Sequence, residues 1–453
     1  MKEKLFEKIL IANRGEIALR IIRTCKDLGI KSIIVHSTAD TESFPVKFAD
    51  SAICIGPEKS MQSYLNIPAI ISAAEVSNAE AVHPGYGFLA ENSEFVEICK
   101  QCNLVFIGPD STVMNLMGNK SNARDTVKKA GFPVIPGSDK VIETIEEAKS
   151  FAKKIGYPII IKASAGGGGR GMRVVNNETE LEVAFNSAKK EAMEAFKNDS
   201  IYIEKYFKYA HHIEVQILAD KYKNVIHLGE RDCSIQRRHQ KLLEETPSPF
   251  LNDKVRNEIC EVAVGIARAV NYENAGTIEF LVDEKKNFYF MEMNTRIQVE
   301  HPITEERTGI DIVKWQILIS AGYKLPFKQQ DIKFIKHSIE CRINAEDPDN
   351  NFMPNTGKII NCHFPNGIGV RMDSHIYEHY DVPPYYDSLL GKLIVSGYNR
   401  REAISRLNRA LDEIIITGLK TTIPFHKKII NNIDFIDGNY TTNFITKLLS
   451  KGV

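Results

Sequence analysis

Neither charge sign is in excess: lysine plus arginine number 58, and so do aspartate plus glutamate. That balance gives the molecule no overall field to draw in nucleic acid or an anionic membrane, so any basic cluster must act locally. No apolar run approaches the roughly 20 residues a bilayer-spanning helix needs. The N-terminal MKEKLFEKILIANRGE has neither a signal-peptide hydrophobic segment nor a small-residue cleavage site. Cysteine is sparse, eight residues scattered singly, which is no secreted disulfide framework and makes a reducing cytoplasm the expected compartment. Cys99 and Cys102 form one CxxC, but no second pair and no histidine at metal spacing accompany it, so helix packing is its expected role. Internal repeats, low-complexity tracts and long linkers are also missing.

What is present is enough chain for two or three packed units, and clefts between such units are where ligands usually bind. Up to about residue 115 the pattern alternates strand and helix: KILIA, GEIALRIIRTCKDLG, KSIIVHS, EAVHP, a helix from Ala90, then LVFIG. This predicts a doubly wound α/β unit. Its first helix carries Ile17, Ile21, Cys25 and Leu28 on one stripe, with Ala18 and Ile22 beside it. The turn before that helix has only Gly15, whereas a dinucleotide fingerprint needs three glycines, so topology alone does not assign NAD. Residues 119–156 read as helices broken by Pro133, Pro136 and Gly137, ahead of the strand YPIIIK. Beyond a glycine loop come MRVV, a long helix from about Glu178 to Phe196, the strand IYIEKYF, and IEVQILAD and NVIHLGERDCSIQ as antiparallel strands. From about 335 a third region mixes the strands HSIECRIN, GKII and GKLIVSG with a helix from Arg400.

The loop between YPIIIK and MRVV contains Gly166, Gly167, Gly168 and Gly169, flanked by Lys162 and Arg170. Backbone N–H groups free of side chains can close over anionic oxygens there, which favours phosphate binding over a flexible turn. It is not a P-loop, because it runs strand to strand and no lysine-threonine pair follows. Glu279 in GTIEFLV and Glu292 in FYFMEMNTR are carboxylates on adjacent apolar strands, with Asn294 on the same face as Glu292. Charges on apolar strands need a compensating cation, and an all-oxygen set suits magnesium bridging nucleotide phosphates; a structural salt bridge is the plainer alternative. Lys120 in MGNKSNAR, by itself, reads as a solvated helix lysine.

Three further clusters address a second substrate. RDCSIQRRHQKLLEETP groups Arg237, Arg238, His239 and Lys241, which on charge alone is a solvated basic turn. MNTRIQVEHPITE would place Arg296, Gln298 and Glu300 on one face of an extended segment, opposite Ile297 and Val299. An arginine fork there could hold a small planar oxyanion while the carboxylate takes its proton. ECRINAEDP puts Arg342 at the end of an apolar strand.

The glycine loop, its lysines and the glutamate, glutamate, asparagine set resemble the ATP-grasp superfamily. HPGYGFLAEN, MGNKSNAR, KASAGGGGRGM, RRHQK, MNTRIQVEHP and ECRINAE, in this order, resemble the biotin carboxylases over essentially the whole chain. The resemblance implies a Rossmann-like N-terminal domain over residues 1–118, an ATP-grasp domain over 119–334 with a glycine-loop lid at about 135–206, and a mixed α+β C-terminal domain over 335–450. It implies that Lys120, Lys162 and the glycines contact ATP phosphates. Glu204, Lys205, Tyr206 and Phe207 would form the adenine hinge, His212, Gln236 and His239 would lie near the nucleotide, and Glu279, Glu292 and Asn294 would hold magnesium or manganese. Lys241, Arg296, Gln298 and the Val299 backbone would receive bicarbonate, Glu300 would deprotonate it, and Arg342 would stabilise the biotin oxyanion. Arg20, Arg23 and Arg371 match positions used for self-association, which implies a homodimer. With no AMKM-type attachment segment, biotin is expected on a separate carrier protein, beside carboxyltransferase subunits. The final acceptor, acetyl-CoA or pyruvate, touches none of these motifs. Another ATP-grasp ligase would lack RRHQK and RIQVEHP, and a non-catalytic relative would have lost Lys241, Arg296 or Glu300. Tyr86 and Phe88 read as core or ligand contacts equally, and Cys233 as a candidate for oxidation.

Overall fold

In this computed structural model residues 5–138, 140–163, 172–196 and 198–450 are described. Five parallel strands form the first sheet: β1 (Lys8–Ile11), β2 (Lys31–Ser37), β3 (Ser51–Gly56), β4 (Ala81–His83) and β5 (Val105–Phe106), in the order β3-β2-β1-β4-β5. Alternation splits each strand between two layers. Ile9 and Ile11 pack with Ile17, Ile21 and Cys25 of α1 (Gly15–Asp27), whereas Leu10, Ile33 and Val35 face Ile70 and Phe95 on the other side. The expected doubly wound unit is therefore present. Its fourth-strand helix starts at Ser93 rather than Ala90, because the Asn92 side chain accepts the amide of Phe95 and caps it there.

A second, three-stranded antiparallel sheet consists of β6 (Ile159–Ala163), β7 (Met172–Val175) and β8 (Ile201–Lys205), ordered β7-β6-β8. Helices Ile145–Ile155 and Glu178–Phe196 cover it, burying Ala148, Ala152, Leu181, Phe185 and Ala188 against Ile159 and Ile161. Gly166, Gly167, Gly168, Gly169 and Arg170 lie outside the described residues.

The third sheet is the largest and is antiparallel throughout. It contains β9 (His211–Ala219), β10 (Val225–Arg237), β11 (Gln240–Thr246), β12 (Asn274–Val282), β13 (Phe288–Asn294), β14 (His337–Asn344) and the strands Leu389–Gly397 and Val370–Ser374. Their order is β13-β12-β9-β10-β11-β14, then Leu389–Gly397, then Val370–Ser374. Because β11 pairs with β14, strands from beyond residue 334 continue the central sheet. One face is apolar: Ile213, Val215, Ile278 and Phe280 pack on helix Asp253–Ala269, and Ile339, Leu393 and Val395 pack on helix Arg400–Glu413. The other face carries charge. GKII is less regular than its sequence suggests, only Gly357–Lys358 pairing as strand, with Asp381–Val382. Among the described residues no helix is long and apolar enough to cross a membrane.

Glu245, at the end of β11, ties the sheet to the C-terminal helices. It is wholly buried and accepts from His337 Nε2 at 2.6 Å, Arg400 Nε at 2.8 Å and Tyr440 Oη at 2.7 Å. Burial pushes its carboxyl up, but the bonds from His337 and Arg400 outweigh that and hold it at about 2, below the ordinary 4.5. A depressed carboxylate stabilises the fold above its unfolded pKa, and this contribution is lost as pH falls through the folded value. Glu245→Gln is therefore expected to lower stability by about 3 kcal/mol at neutral pH. In urea titrations at stepped pH, the gap between parent and variant should narrow below 4.5; a gap that does not change with pH would refute the assignment.

Candidate functional site

The charged face of the large sheet builds the site. Across the strands, cross-strand partners place Glu292 beside Glu279, Glu279 beside Glu214, and Glu214 beside Arg231. Further along, Glu244 pairs with Glu340, Arg342 with Lys392, and Lys392 with Asp373. Cross-strand partners point to the same side of a sheet, so each of the eight strands adds a charged side chain to one surface. Most of these groups are buried, which is tolerable only where opposite charges meet.

They meet around Lys241. Its ammonium lies 2.6 Å from Glu214, 3.1 Å from Glu279 and 2.7 Å from Glu300. Arg231 pairs with Glu214 from below, and Arg342 donates to Glu244 at 2.7 Å and to Glu300 at 2.8 Å. Burial alone would push the Glu300 carboxyl up, but Lys241, Arg342 and Arg231 hold it well below the usual carboxylate range. Glu244, with Arg342 opposing its burial and Glu300 adding to it, is pushed up to about 7.

Above this layer opens a cavity of about 1550 Å³. Its walls include Lys120, Lys162, Glu204, Lys205, Tyr206, Phe207, His212, Gln236, His239, Lys241, Glu279, Glu292, Asn294, Arg296, Gln298, Val299 and Arg342. Glu300 does not line it; wholly buried, the carboxylate sits beneath, held by the lining residues Lys241 and Arg342. Lys162 is 2.5 Å from Glu204, and Lys120, at the start of helix Lys120–Lys129, is 2.9 Å from Glu292. Phe207 stacks on Tyr289 with centroids 5.0 Å apart. Lys205 turns its ammonium to the carbonyls of Gly156 and Tyr157, so its contribution to the wall is not a free charge. His212 bonds Glu279 at 2.7 Å, and His239 sits in the left-handed turn between β10 and β11.

The extended segment expected at 296–300 is absent. Residues 295–300 bend into a turn, Glu300 takes the N-cap position of helix His301–Thr308, and Pro302 opens that helix. Arg296 folds the segment on itself by donating to Ile297 O and Gln298 Oε1 at 3.1 and 3.2 Å. Arg296 and Gln298 still face the cavity and Ile297 is buried, but Glu300 is carried below them.

Among the described residues three sets of donors could hold a cation; one of them, Glu214, Cys233 and Glu300, is wholly buried and already faced by Lys241 and Arg342. Glu279, Glu292 and Asn294 offer oxygen alone, with Lys120 beside Glu292 and Lys241 and His212 beside Glu279, and an all-oxygen set fits a hard divalent ion. His212, Glu214 and Glu279 bring donor atoms within 4.8 Å of one another, but Lys241 already lies against both carboxylates as their cation. The oxygen set is the better site.

Arg20 is buried and spends its charge on Glu305 and Asp311 at 2.8 and 2.7 Å; Arg371 does so on Glu305 and Asp373 at 2.8 and 2.7 Å. Arg23 is half-exposed. Cys233 is wholly buried 3.9 Å from Glu300, and burial pushes its thiol well up, which disfavours the thiolate. Cys99 and Cys102 are free thiols, the first buried and the second exposed. Tyr86 and Phe88 both line the cavity; Tyr86 also donates to Glu16 and Phe88 stacks on Tyr64. Sequence reasoning missed Glu214, Arg231, Glu244, Glu16 and Lys392. Glu214 lies in the apolar run IEVQIL, so the rule that singled out Glu279 would have found it.

The N-terminal domain model of biotin carboxylases matches residues 5–114, the ATP-binding domain of the carbamoyl-phosphate synthase L chain matches 119–328, and the biotin carboxylase C-terminal domain matches 340–447. The biotin carboxylase of Nostoc sp. is 56% identical, over 98% of this chain and 99% of its own. A pyruvate carboxylase subunit of Methanothermobacter thermautotrophicus is 53% identical over 97% of this chain and 90% of its own. Among solved structures, a complex of Campylobacter jejuni biotin carboxylase with a β,γ-ATP ligand superposes with a TM-score of 0.93 at 55% identity, covering 98% and 99% of the two chains. The biotin carboxylase domain dimer of Hydrogenobacter thermophilus 2-oxoglutarate carboxylase, crystallised with MgADP, ADP and bicarbonate, gives 0.91 at 49% identity and covers 98% of each chain. Matched from end to end by such relatives, with the charged cavity where their shared domains meet, the chain belongs to the biotin carboxylase family, ATP-dependent ligases that carboxylate biotin.

Proposed function

We propose that the cavity activates bicarbonate with ATP and passes the carboxyl group to biotin borne on a separate carrier protein. The observation that carries this reading is the grip of Lys241 and Arg342 on one buried carboxylate, Glu300, beside the paired carboxylates Glu279 and Glu292. In this reading the three units are residues 1–118, 119–334 with a glycine-loop lid at about 135–206, and 335–450. Glu204, Lys205, Tyr206 and Phe207 border the adenine, with His212, Gln236 and His239 close by. Lys120, Lys162 and the loop of Gly166 to Gly169 take the phosphates. Glu279, Glu292 and Asn294 hold magnesium or manganese, which masks phosphate charge when bound.

Lys241, Arg296, Gln298 and the Val299 backbone receive bicarbonate. Cations keep Glu300 ionised, so a proton acceptor is ready at neutral pH; as those cations turn to the incoming anion, its basicity rises. The deprotonated bicarbonate oxygen attacks the γ-phosphorus, ADP leaves, and carboxyphosphate forms. Its breakdown gives carbon dioxide and phosphate, the phosphate takes the ureido proton of biotin, and Arg342 faces the resulting oxyanion while the nitrogen is carboxylated. Relatives named for biotin carboxylase and for pyruvate carboxylase bracket the setting; acetyl-CoA carboxylase is the first choice and a two-subunit pyruvate carboxylase the second. The enzyme works as a homodimer in the cytoplasm, with the carrier and carboxyltransferase subunits as partners.

ATP hydrolysis by the purified chain should depend on bicarbonate and rise with free biotin. Arg296→Ala should lower that turnover by on the order of 10²-fold or more. ATP binding with no response to bicarbonate would instead point to another ligase or a regulator. Glu300→Gln is expected to lose about 10²- to 10⁴-fold in turnover. Nucleotide affinity, read by calorimetry, should stay near the parent's; a matching loss of affinity would make Glu300 a structural residue only. Chelation should abolish turnover, and magnesium or manganese should restore it. Glu292→Gln should raise the metal concentration required by about tenfold or more, and an unshifted metal titration would remove Glu292 from the site.

A further inference from the structure

A further buried cation lies beside the site and has no part in the chemistry described so far. Lys392, on the strand Leu389–Gly397, is wholly buried. Its ammonium donates to the carbonyl of Val299 at 2.8 Å and lies 3.1 Å from Glu16 Oε1. Glu16, buried in the first turn of α1, also accepts from the hydroxyl of Tyr86 in the cavity wall. The cross-strand partners of Lys392 are Asp373 on one side and, on the other, Arg342, which holds Glu300 at 2.8 Å. Two neighbouring cations thus grip two consecutive residues, Lys392 by the main chain of Val299 and Arg342 by the side chain of Glu300.

Packing does not account for this lysine. Arg342 directly opposite is a like charge, which destabilises a sheet, and Asp373 on the other side only offsets it. A buried ion pair is often replaced without loss by apolar side chains of similar volume. What an apolar side chain could not do is hold the Val299 carbonyl. That carbonyl belongs to the peptide plane joining Val299 to Glu300, so fixing it sets ψ of the first residue and φ of the second. The plane in turn decides how Val299 presents to the cavity and whether the Glu300 carboxylate stays beneath Lys241 and Arg342.

We propose that Lys392 is a positioning residue of the carboxylation reaction: with Glu16 as counter-ion, it clamps the Val299–Glu300 peptide and so sets the geometry of the oxyanion subsite. The inference rests on the reading that bicarbonate is received at Arg296 to Glu300.

The test is steady-state ATP hydrolysis by the full chain, with bicarbonate and ATP varied separately, for parent, Lys392→Met and Glu16→Gln. Lys392→Met is expected to lower kcat/KM for bicarbonate by about 30- to 100-fold, with KM for ATP unchanged within about twofold. Glu16→Gln, which keeps a partner for Tyr86 and removes only the counter-charge, should lower kcat/KM for bicarbonate by roughly 3- to 10-fold, again without moving KM for ATP. A purely structural lysine would change the amount of folded protein but not this split. A folded Lys392→Met within about threefold of the parent in kcat/KM for bicarbonate overturns the proposal. If that variant does not fold, Glu16→Gln decides: a selective bicarbonate defect supports the clamp, and unaltered bicarbonate dependence overturns it. A parent without any bicarbonate response overturns both this proposal and the functional reading beneath it, whereas a responsive parent with unaltered variants overturns this one alone.

Discussion

Burial of charge on one face of the large antiparallel sheet is the constraint from which the rest follows. Strand alternation sends Ile213, Val215, Ile278 and Phe280 to one side and Glu214 and Glu279 to the other, and both sides are buried. An uncompensated carboxylate in such a place costs several kcal/mol, so each finds a cation within contact distance or, like Glu340, has its carboxyl pushed well up by burial. Lys241 serves three of them, Arg231 a shared one, and Arg342 two. The cations are therefore not ornaments of a binding site; without them the sheet would not close.

The same bonds define what the site can do. Charges that satisfy one another leave little net field, yet Lys241, Arg296 and Arg342 each also face the cavity. An incoming anion can compete for them, and every cation it recruits is one withdrawn from Glu300 or its neighbours. Under the proposed reaction, coupling of this kind would make the basicity of Glu300 a function of occupancy: suppressed while Lys241 and Arg342 hold it, and raised if an anion drew them away. A proton acceptor of that kind would strengthen only with its substrate in place, and burial beneath the cavity floor would serve the same end.

Much of this was legible in the sequence, and the exceptions have physical reasons. The first unit follows directly from alternating strand and helix patterns, with the stripe of Ile17, Ile21 and Cys25 lying on the sheet as the period requires. Glu279, Glu292 and Asn294 could be placed because a two-residue period fixes side-chain direction within a strand, and register pairs the two glutamates as the hairpin reading implied. The period failed at 296–300, where Pro302 starts a helix and Arg296 folds the preceding turn, interactions that no alternation rule encodes. Lys392 and Glu16 were missed for a different reason. Lys392 is the one charged residue of an apolar strand and Glu16 one of five charged residues in α1, and only tertiary contact between distant segments makes them a pair.

That pair also indicates why the site needs all three parts of the chain. Val299 and Glu300 come from the middle, Lys392 and Arg342 from beyond residue 334, and Glu16 with Tyr86 from the first unit. The apolar cores cross the parts as well: Ile9, Ile17 and Ile21 share a cluster with Ile297, Ile312 and Ile317, and Leu243 shares one with Ile339 and Leu393. The buried charges likewise pair across the parts. Glu16 apart from Lys392 would be a buried carboxylate without its cation, and the penalty falls on any arrangement in which the parts are misaligned. The charge network thus acts as a registration device: the geometry that neutralises the buried groups is also the geometry that brings Lys241, Arg342 and Glu300 together under the cavity.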